Sequence, residues 1–312
     1  MRSILRRLFF GRAALGKKIK VTIRDATDTG KVRSHNGDYH AALGGKKSPP
    51  GVDALLVVAD GMGGHAAGEV ASRMTVDGIL EHLNNPTGES LNLEGNAFGA
   101  YLGSVLKKVN KDVFHAGQNP DKRGMGTTCT LAAVRGDQLF LAHIGDSRAY
   151  FLRKGELHQV TKDHSWVQDA VDQGVITSEE ARVHPNRNVI TRAIGLDPQV
   201  EVDISAMLLA DGDLLLLCSD GLNSMLPDDE IKRLLLDNHP QKVCQALINA
   251  ANNQGGHDNT TVVVGMIGSQ GRNRVTKPVP SDQDTQKISK RTAWWKAVVR
   301  VILRRRSGIP KK

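Results

Sequence analysis

The stretch that decides the fold is residues 55–65, which read LLVVADGMGGH. Apolar and β-branched residues run without a break up to Asp60, and glycines follow at once. Such a run predicts a buried strand that delivers Asp60 to its exposed end. The small residues after it let another group approach the backbone closely.

The same combination of apolar run and acid occurs three more times. Residues 214–221 read LLLLCSDG, residues 139–146 read LFLAHIGD, and Asp258 precedes the run TTVVV at residues 260–264. Asp-Gly after a strand is also a common hairpin signal, so any one of these acids indicates a turn more readily than a ligand. Four of them together favour carboxylates gathered around hard cations. Spacing alone leaves both interpretations open.

Composition bounds the size of the core and the compartment. A chain of 312 residues that is 39% hydrophobic can bury the core of one large domain or two small ones. Aromatic residues are only 4% of the chain, which predicts an aliphatic core. The three cysteines lack paired metal-ligand spacing and favour buried thiols in a reducing compartment.

The net charge of +9 is concentrated at the two ends of the chain. Residues 1–20 and 287–312 hold many lysines and arginines and no acid, whereas the middle of the chain is acidic. A nucleic-acid binder needs a basic patch and stacking aromatics on its folded body. The sequence therefore predicts no nucleic-acid partner.

Four segments follow from composition. Residues 1–20 form a basic N-terminal extension, in which Arg6 and Arg7 interrupt the apolar part that a signal peptide would need. Residues 21–268 form the folded body, and residues 269–290 are a polar linker. Residues 291–312 are a basic amphipathic tail. This organisation predicts a cytoplasmic protein.

The C-terminal tail has two opposed faces if it is helical. Trp294 and Trp295 lie on the apolar face, opposite a stripe of Lys296, Arg300 and Arg304. Such a helix suits the headgroup region of an anionic membrane, which predicts peripheral association at the inner face of the membrane through the basic tails. Docking of the apolar face on the body or on a partner stays open.

Periodicity within the body predicts mixed secondary structure. Helices are expected at residues 66–83, 96–116, 228–236 and 240–253, with a polar loop at 85–92. Strands are expected at residues 21–24, 126–134, 148–152, 157–160 and 260–267, besides those that lead to Asp60, Asp146 and Asp220. Tight turns between neighbouring strands imply antiparallel pairing, and residues 163–195 look like an excursion from the sheet. The predicted fold class is α+β, with two packed sheets flanked by helices.

The motifs occur in an order that matches one family. They are RSHNGD (33–38), DGMGGH (60–65), GTT (126–128), IGDSR (144–148), TKDH (161–164), ITRAIG (190–195), SDG (219–221) and GHDNT (256–260). Over residues 21–267 the chain resembles the metal-dependent type 2C (PPM) serine/threonine protein phosphatases, most of all the bacterial ones. Each motif is weak alone, and the ordered set is highly specific.

The resemblance implies a fold and a metal site. The family fold is a central β-sandwich of two antiparallel sheets with helices outside each, in α-β-β-α layers, and its metals sit at one end. Asp60 matches the carboxylate that bridges two Mn²⁺ or Mg²⁺ ions, and the Gly61 carbonyl matches a ligand of one ion. Asp220 and Asp258 match further direct ligands. Oxygen ligation with several waters suits both metals.

Three further roles are implied. Asp38 matches an acid that holds the site through metal-bound water, and Asp146 matches a position linked to a weaker third ion. Arg33 matches the phosphate clamp, where a guanidinium donates two parallel hydrogen bonds. Arg33, Asp38 and Asp60 are the expected catalytic residues.

The implied activity is hydrolysis of phosphoserine and phosphothreonine by a water that bridges the two ions. The expected partners are phosphorylated proteins, among them a cognate bacterial protein kinase and its substrates, and the catalytic domain is expected to be monomeric. No covalent intermediate is needed, so Cys218, which lies close to Asp220, is interpreted as a core thiol.

The sequence departs from the family at two positions. Gly37 stands where most members carry Glu or Gln, which removes an acceptor near the metals and is expected to weaken metal binding. Met62 stands where animal members carry a histidine proposed as general acid, although bacterial members usually have Met. Nearby His35, His40 and His65 are expected to be structural or exposed.

Two other functions stay in competition. A catalytically inactive module that keeps the fold and binds a partner predicts loss of the metal aspartates, yet all of them are present. The second is a metal-dependent hydrolase of small phosphate esters, which the metal site alone does not distinguish from a protein phosphatase. Comparing a phosphopeptide with nucleotides and sugar phosphates distinguishes it from a protein phosphatase.

Overall fold

A computed structural model of the chain describes residues 19–63, 67–86 and 88–268. Its strands are β1 (Val21–Asp28), β2 (Asp38–Gly44), β3 (Ala54–Met62), β4 (Gly126–Thr127), β5 (Cys129–Arg135), β6 (Gln138–Ile144), β7 (Arg148–Arg153), β8 (Glu156–Gln159), β9 (Asp203–Leu208), β10 (Leu214–Cys218) and β11 (Thr260–Ile267). Its α-helices are α1 (Ala67–Asn84), α2 (Gly88–Leu91), α3 (Asn96–Ala116), α4 (Trp166–Asp172), α5 (Ser178–Val183), α6 (Asp220–Asn223), α7 (Asp228–Asp237) and α8 (Val243–Asn253).

The strands form two antiparallel sheets. One sheet has the order β1-β11-β10-β7-β8, and the other has the order β2-β3-β5-β6-β9, with β4 paired to the end of β3. Every pairing between these strands is antiparallel. The predicted pairing of closely spaced strands is therefore observed.

Strand β3 shows how the layers are built. Alternate residues of a strand face opposite sides of its sheet. Leu55 and Val57 pack in the apolar cluster that includes α1 and α3, whereas Leu56 and Val58 pack in the cluster between the two sheets. Because both faces of β3 are covered, its sequence is an unbroken apolar run.

The second sheet is covered on its outer face by α6, α7 and α8. Leu216 of β10 and Val264 of β11 pack there against Leu235 and Leu247 of the helices. Helices thus lie outside each sheet of the sandwich. The predicted α+β class with α-β-β-α layers is confirmed.

Several boundaries differ from those predicted. Strands β2 and β9 were not predicted; each lies at an edge of its sheet and mixes polar residues that are at least partly exposed with apolar ones. β1 extends to Asp28, α8 begins at Val243, and the short α2 lies in the predicted polar loop. No strand of the two sheets lies within residues 163–195, as expected.

The predictions for the basic N-terminal extension and for residues 269–312 fall almost entirely outside the described residues. Within the described part of the chain, no helix is both long enough and apolar enough to cross a bilayer.

Candidate metal centre

Strand pairing places two of the predicted aspartates side by side. In the β2–β3 register Asp38 is directly opposite Asp60, and Cβ atoms of such pairs are separated by about 5 Å. Asp60 is not at the end of its strand, contrary to the prediction, because β3 continues through Met62 to pair with β4. The DG sequence at this position is therefore strand and not a hairpin turn.

The other three aspartates come from the ends of neighbouring elements. Asp146 follows β6 after Gly145, whose φ of +106° favours glycine. Asp220 is the first residue of α6, directly after β10 and Ser219. Asp258 lies just before β11. The central strands thus deliver carboxylates to one end of the sandwich.

The electrostatics of Asp60 show that the five aspartates lie near one another. Burial raises the pKa of Asp60 well above its usual value, and negative charge on the other four aspartates, Asp38 foremost, raises it further. Burial also raises the pKa of Asp38 to about 7. Like charges brought together out of water destabilise the ionised state, and bound cations relieve that cost.

Asp220 and Asp146 behave in the same way. Burial and then the charge of Asp258 raise the pKa of Asp220 to about 6. Burial raises the pKa of Asp146 too, followed by the charge of Asp220. Two buried carboxyl groups (Asp38 and Asp146) and two partly buried ones (Asp60 and Asp220), all with raised pKa values, mark a functional site.

Two carboxylate oxygens fit a hard cation or its water ligands. Oδ1 of Asp38 and Oδ1 of Asp146 are buried and have no hydrogen-bond partner in the described part of the chain. All the predicted ligands are oxygen atoms, as Mg²⁺ and Mn²⁺ prefer. Among the described residues, no three acidic, imidazole or thiol side chains enclose a metal position by themselves. Sites of this kind keep several waters, so the donor set fits such ions.

Gly61 lies where two other backbone segments approach this strand closely. A Cβ on Gly61 would lie 2.1 Å from the carbonyl oxygen of Gly68 in α1 and 2.5 Å from that of Gly37. No side chain fits there, so only glycine lets α1 and the loop before β2 pack against this strand.

Arg33 is bound to one of the predicted metal ligands. Its Nη2 atom lies 2.8 Å from Oδ2 of Asp258, and its side chain is 56% exposed. The other oxygen of Asp258 accepts the backbone N–H of Asn259 at 2.8 Å. The structure therefore brings Arg33 to the aspartates and pairs it with Asp258.

Several supporting residues were not singled out from the sequence. Ser219 donates to Oδ2 of Asp38 at 2.7 Å, and Thr127 donates to the Asp60 carbonyl at 2.8 Å. Thr128 accepts the Asp60 backbone N–H at 2.9 Å. All three lie inside the quoted motifs, so their positions were visible although their contacts were not.

Asn259 holds the loop that carries Arg33. Its amide donates to the carbonyl groups of Thr29 and His35, both at 2.9 Å, and its oxygen accepts the N–H of Gly37 at 2.7 Å. One buried side chain therefore fixes residues 29–37 against the start of β11. His35 itself is exposed, as expected.

The excursion after β8 is attached beside Asp146. Asp163 binds Arg148 through both carboxylate oxygens, and His164 accepts the Gly145 N–H at Nδ1 over 2.9 Å. Nε2 of the same ring lies 3.3 Å from Oδ2 of Asp203 and 3.0 Å from Nη1 of Arg192. Residues 163–164 thus support the backbone that carries Asp146.

With this geometry established, comparison with known proteins identifies the family. The family model for protein phosphatase 2C matches residues 31–263. The chain belongs to this family. Its sequence is 38% identical over 240 residues to the serine/threonine phosphatase Stp of Listeria monocytogenes. The aligned region covers 76% of this chain and 92% of Stp.

Solved structures of phosphatases agree with this assignment. The S. agalactiae serine/threonine phosphatase superposes with a TM-score of 0.72 at 39% identity and covers 79% of this chain and 99% of that one. The catalytic domain of PstP, solved with two manganese ions, superposes with a TM-score of 0.68 at 37% identity. The match covers 81% of this chain and 100% of the PstP chain. The predicted bacterial type 2C family and serine/threonine protein phosphatase class are confirmed.

Proposed function

We propose that this chain hydrolyses phosphoserine and phosphothreonine in proteins with two Mn²⁺ or Mg²⁺ ions as cofactors. The observation that carries this proposal is the set of buried and partly buried aspartates from separate elements, whose charges raise the pKa values of Asp38, Asp60, Asp146 and Asp220. When bound, such ions make a water nucleophilic near neutral pH and neutralise charge on the phosphoryl group. Asp60, Gly61, Asp220 and Asp258 would bind the ions directly.

Asp38 and Asp146 have related roles. Asp38 would hold the centre through water with the buried Oδ1 that lacks a protein partner. Asp146, whose Oδ1 is likewise buried and unpartnered within the described part of the chain, would serve a weaker third ion. The relative found with two manganese ions supports Mn²⁺ as the first metal to test.

Arg33 would bind the substrate phosphate. Its half-exposed guanidinium lies at the edge of the aspartate cluster, where it can exchange Asp258 for a phosphoryl group. A guanidinium binds two phosphate oxygens at once, which orients the phosphorus as well as attracting it. This role and the carboxylate roles account for the expected catalytic set of Arg33, Asp38 and Asp60.

The inactive-module alternative has no support in the site. All five aspartates are present, and each is held by a specific strand pairing, helix start or strand end. We therefore retain the active enzyme as the function.

The decisive experiment is metal-dependent phosphate release from a phosphothreonine peptide, with nucleotides and sugar phosphates as competing substrates. We expect activity with Mn²⁺ that chelator removes and that falls about a hundredfold or more in Asp220→Asn. Asp112→Asn, an exposed acid on α3, is the matched control and should keep full activity. A folded protein without turnover at any Mn²⁺ concentration would contradict the proposal, and preference for a sugar phosphate would change the substrate class.

The remaining proposals concern partners and location. Phosphorylated proteins are the substrates, with a bacterial protein kinase and its targets as the expected source. The catalytic domain would act as a cytoplasmic monomer, with the basic tails contacting the inner membrane surface. Flotation with anionic liposomes tests the tail: a chain that lacks residues 287–312 should lose binding, and unchanged binding would remove that tail from the proposal.

A further inference from the structure

A cavity of about 380 Å³ opens between the end of α3 and the segment that leads into β4. Phe114, Pro120 and Leu196 give it apolar walls, and glycines supply backbone without side chains. Within the described part of the chain, Arg123 is the one charged residue that lines it. Its volume lies in the range of about 300–1,000 Å³ that is typical of ligand sites.

The walls of this cavity are held in place by the fold. Oδ1 of Asn110 accepts the N–H of Gly195 at 2.8 Å, and its amide donates to the Asp197 carbonyl at 3.0 Å. Asn110 is fully buried, so it fixes the backbone on both sides of Leu196, which stays 44% exposed. On the opposite wall, a Cβ built on Gly124 would meet nothing within 4 Å. The cavity is therefore preformed and open.

The cavity adjoins the metal centre. Its wall residue Gly124 packs against Gly63, just after β3, where a Cβ would lie 3.3 Å from the Gly124 carbonyl oxygen. Three residues later, the hydroxyl of Thr127 donates to the Asp60 carbonyl at 2.8 Å. Three residues span at most about 11 Å, and four residues of an extended peptide span about 13 Å. A peptide with its phosphate at the aspartates therefore reaches the cavity about four residues away.

Arg123 gives the cavity a charge preference. Its side chain is exposed, and it forms no ion pair within the part of the chain that the structure describes. The acids nearest to the cavity walls in sequence, Asp121 and Asp197, do not line it. An unpaired guanidinium beside apolar walls favours a ligand that carries an acid next to an apolar group.

We propose that this cavity binds an apolar side chain of the phosphoprotein substrate, four residues from the phosphorylated residue, and that Arg123 pairs with an acid beside that side chain. The proposal rests on the proposed function. Because alternate residues of an extended peptide share a face, the phosphate and the apolar side chain at this spacing point towards the same surface, and so does an acid two positions from the apolar residue. Leu196 and Arg123 are then specificity-determining residues that do not touch the reacting atoms.

The test is steady-state kinetics of the full chain with Mn²⁺ and phosphothreonine peptides. The residue four positions from the phosphothreonine, on its N-terminal or C-terminal side, is Leu or Ala, and the residues two positions to either side of it are Glu or Lys. On one side of the phosphothreonine, we expect KM for the Leu and Glu peptide to be about tenfold lower than for the Ala and Glu peptide, with similar kcat. Turnover of p-nitrophenyl phosphate, which is too small to reach the cavity, measures the metal centre separately.

Two variants and a control assign the effect to the cavity. Arg123→Glu should reverse the preference from Glu to Lys peptides, and Gln118→Trp should fill the cavity and remove the preference for Leu over Ala. Both replaced side chains are exposed, so Tm should stay close to that of wild type. The control is Lys46→Glu, which makes the same charge change at an exposed position beyond the end of β2 opposite Asp38. Its peptide preferences should stay within about twofold of wild type.

Each other outcome overturns the proposal. Equal KM for Leu and Ala peptides on both sides of the phosphothreonine, or an unreduced preference in Gln118→Trp, would exclude the cavity while peptide turnover keeps the proposed function intact. An unchanged preference for Glu in Arg123→Glu would exclude the pairing with an acid. A wild-type dimer in sedimentation that Gln118→Trp dissociates would assign the cavity to a second copy of the chain. Absence of turnover with every phosphoester would overturn the proposed function together with this inference.

Discussion

The hydroxyl of Ser219 donates a 2.7 Å hydrogen bond to Oδ2 of Asp38, and both side chains are buried. The same hydroxyl oxygen accepts the backbone N–H of Thr261 at 2.9 Å. One side chain thus links the start of β2, the end of β10 and the start of β11. It orients Asp38 so that Oδ1 is the oxygen left for water or a cation.

Replacing Ser219 by alanine should affect both stability and metal binding. Ser219→Ala leaves the Thr261 N–H buried without its acceptor, which costs about 1–3 kcal/mol of unfolding free energy. Asp38 also loses its orienting donor, so Mn²⁺ affinity should fall about 10-fold to 100-fold. Urea unfolding in chelator and Mn²⁺ calorimetry measure the two effects.

Ser104→Ala on α3 is the control for that substitution. Its hydroxyl makes an exposed bond to the Tyr101 carbonyl at 2.7 Å, away from the aspartates. Stability should stay within about 0.5 kcal/mol of wild type, with unchanged Mn²⁺ affinity. If Ser219→Ala also bound Mn²⁺ normally, Ser219 would have no orienting role.

Metal-free stability should decrease as pH rises. The pKa of Asp38 is raised from its usual 3.8 to about 7, mainly by burial, and that of Asp220 to about 6. The folded state therefore binds protons more tightly than the unfolded chain. The stability linked to these protons is complete below about pH 4 and is lost as pH rises through 6 to 7. In chelator, Tm should fall by roughly 5 °C between pH 5 and 8.

Two comparisons isolate the aspartates in that experiment. Asp38→Asn removes one titrating group, so its Tm should depend less on pH and exceed that of wild type at pH 8. With saturating Mn²⁺, Tm should instead rise with pH, because protons compete with the metal for the carboxylates. A flat wild-type profile in chelator would show that the aspartates do not repel one another as the structure indicates.

Local sequence patterns predicted the strong elements and missed the weak ones. Strand β3 was predictable because burial on both faces makes its sequence continuously apolar. Strands β2 and β9 were missed because edge strands expose one side and carry polar residues such as His40 and Ser205. The position of Asp60 inside its strand depends on β4, which has only two residues and no periodicity.

The candidate site was predictable as a set of residues but not as a set of contacts. Asp60, Asp146, Asp220 and Asp258 each follow or precede a strong apolar run, which makes them visible in the sequence, whereas Asp38 was found only through the family resemblance. The bond between Ser219 and Asp38 joins residues 181 positions apart, and that between Asn259 and Gly37 joins residues 222 apart. Such pairings depend on sheet topology, which no local pattern contains.

The three thiols should be inert in the native protein. Cys129, Cys218 and Cys244 are buried, and burial raises the pKa of each thiol to about 12. Almost no thiolate is present at neutral pH, so a thiol reagent has no nucleophile to attack. An Ellman assay should detect no thiol in native protein and three after unfolding. Rapid labelling of Cys218 with loss of activity would contradict its interpretation as a core thiol.

His164 should support the backbone that carries Asp146. His164→Ala leaves the buried Gly145 N–H without its acceptor, so we expect about 2 kcal/mol of destabilisation. With Asp146 displaced, kcat should fall more than KM rises. The control is His239→Ala, an exposed histidine whose Nδ1 also accepts a backbone N–H, at 3.3 Å from Gln241. Equal effects of the two substitutions would contradict a role at Asp146.

Substitutions of Arg33, which is paired with Asp258, distinguish an effect on substrate binding from an effect on metal binding. Arg33→Ala should reduce kcat/KM about 100-fold, because the phosphate loses a two-pronged donor. Arg33→Lys keeps the charge but not the fork, so it should restore only part of the loss. Mn²⁺ affinity should stay the same or increase in both variants, since Oδ2 of Asp258 is released.

Arg233→Ala is the matched control for Arg33. Its side chain on α7 is 58% exposed, against 56% for Arg33, and it also pairs with acids at the surface. Removing it tests the loss of an exposed arginine away from the aspartates, and kcat/KM should be unchanged. If Arg33→Ala also kept full kcat/KM, the phosphate-binding role would be wrong. If Arg33→Ala lost Mn²⁺ binding together with activity, the role of Arg33 would be to hold Asp258 in place. Other groups would then bind the substrate phosphate.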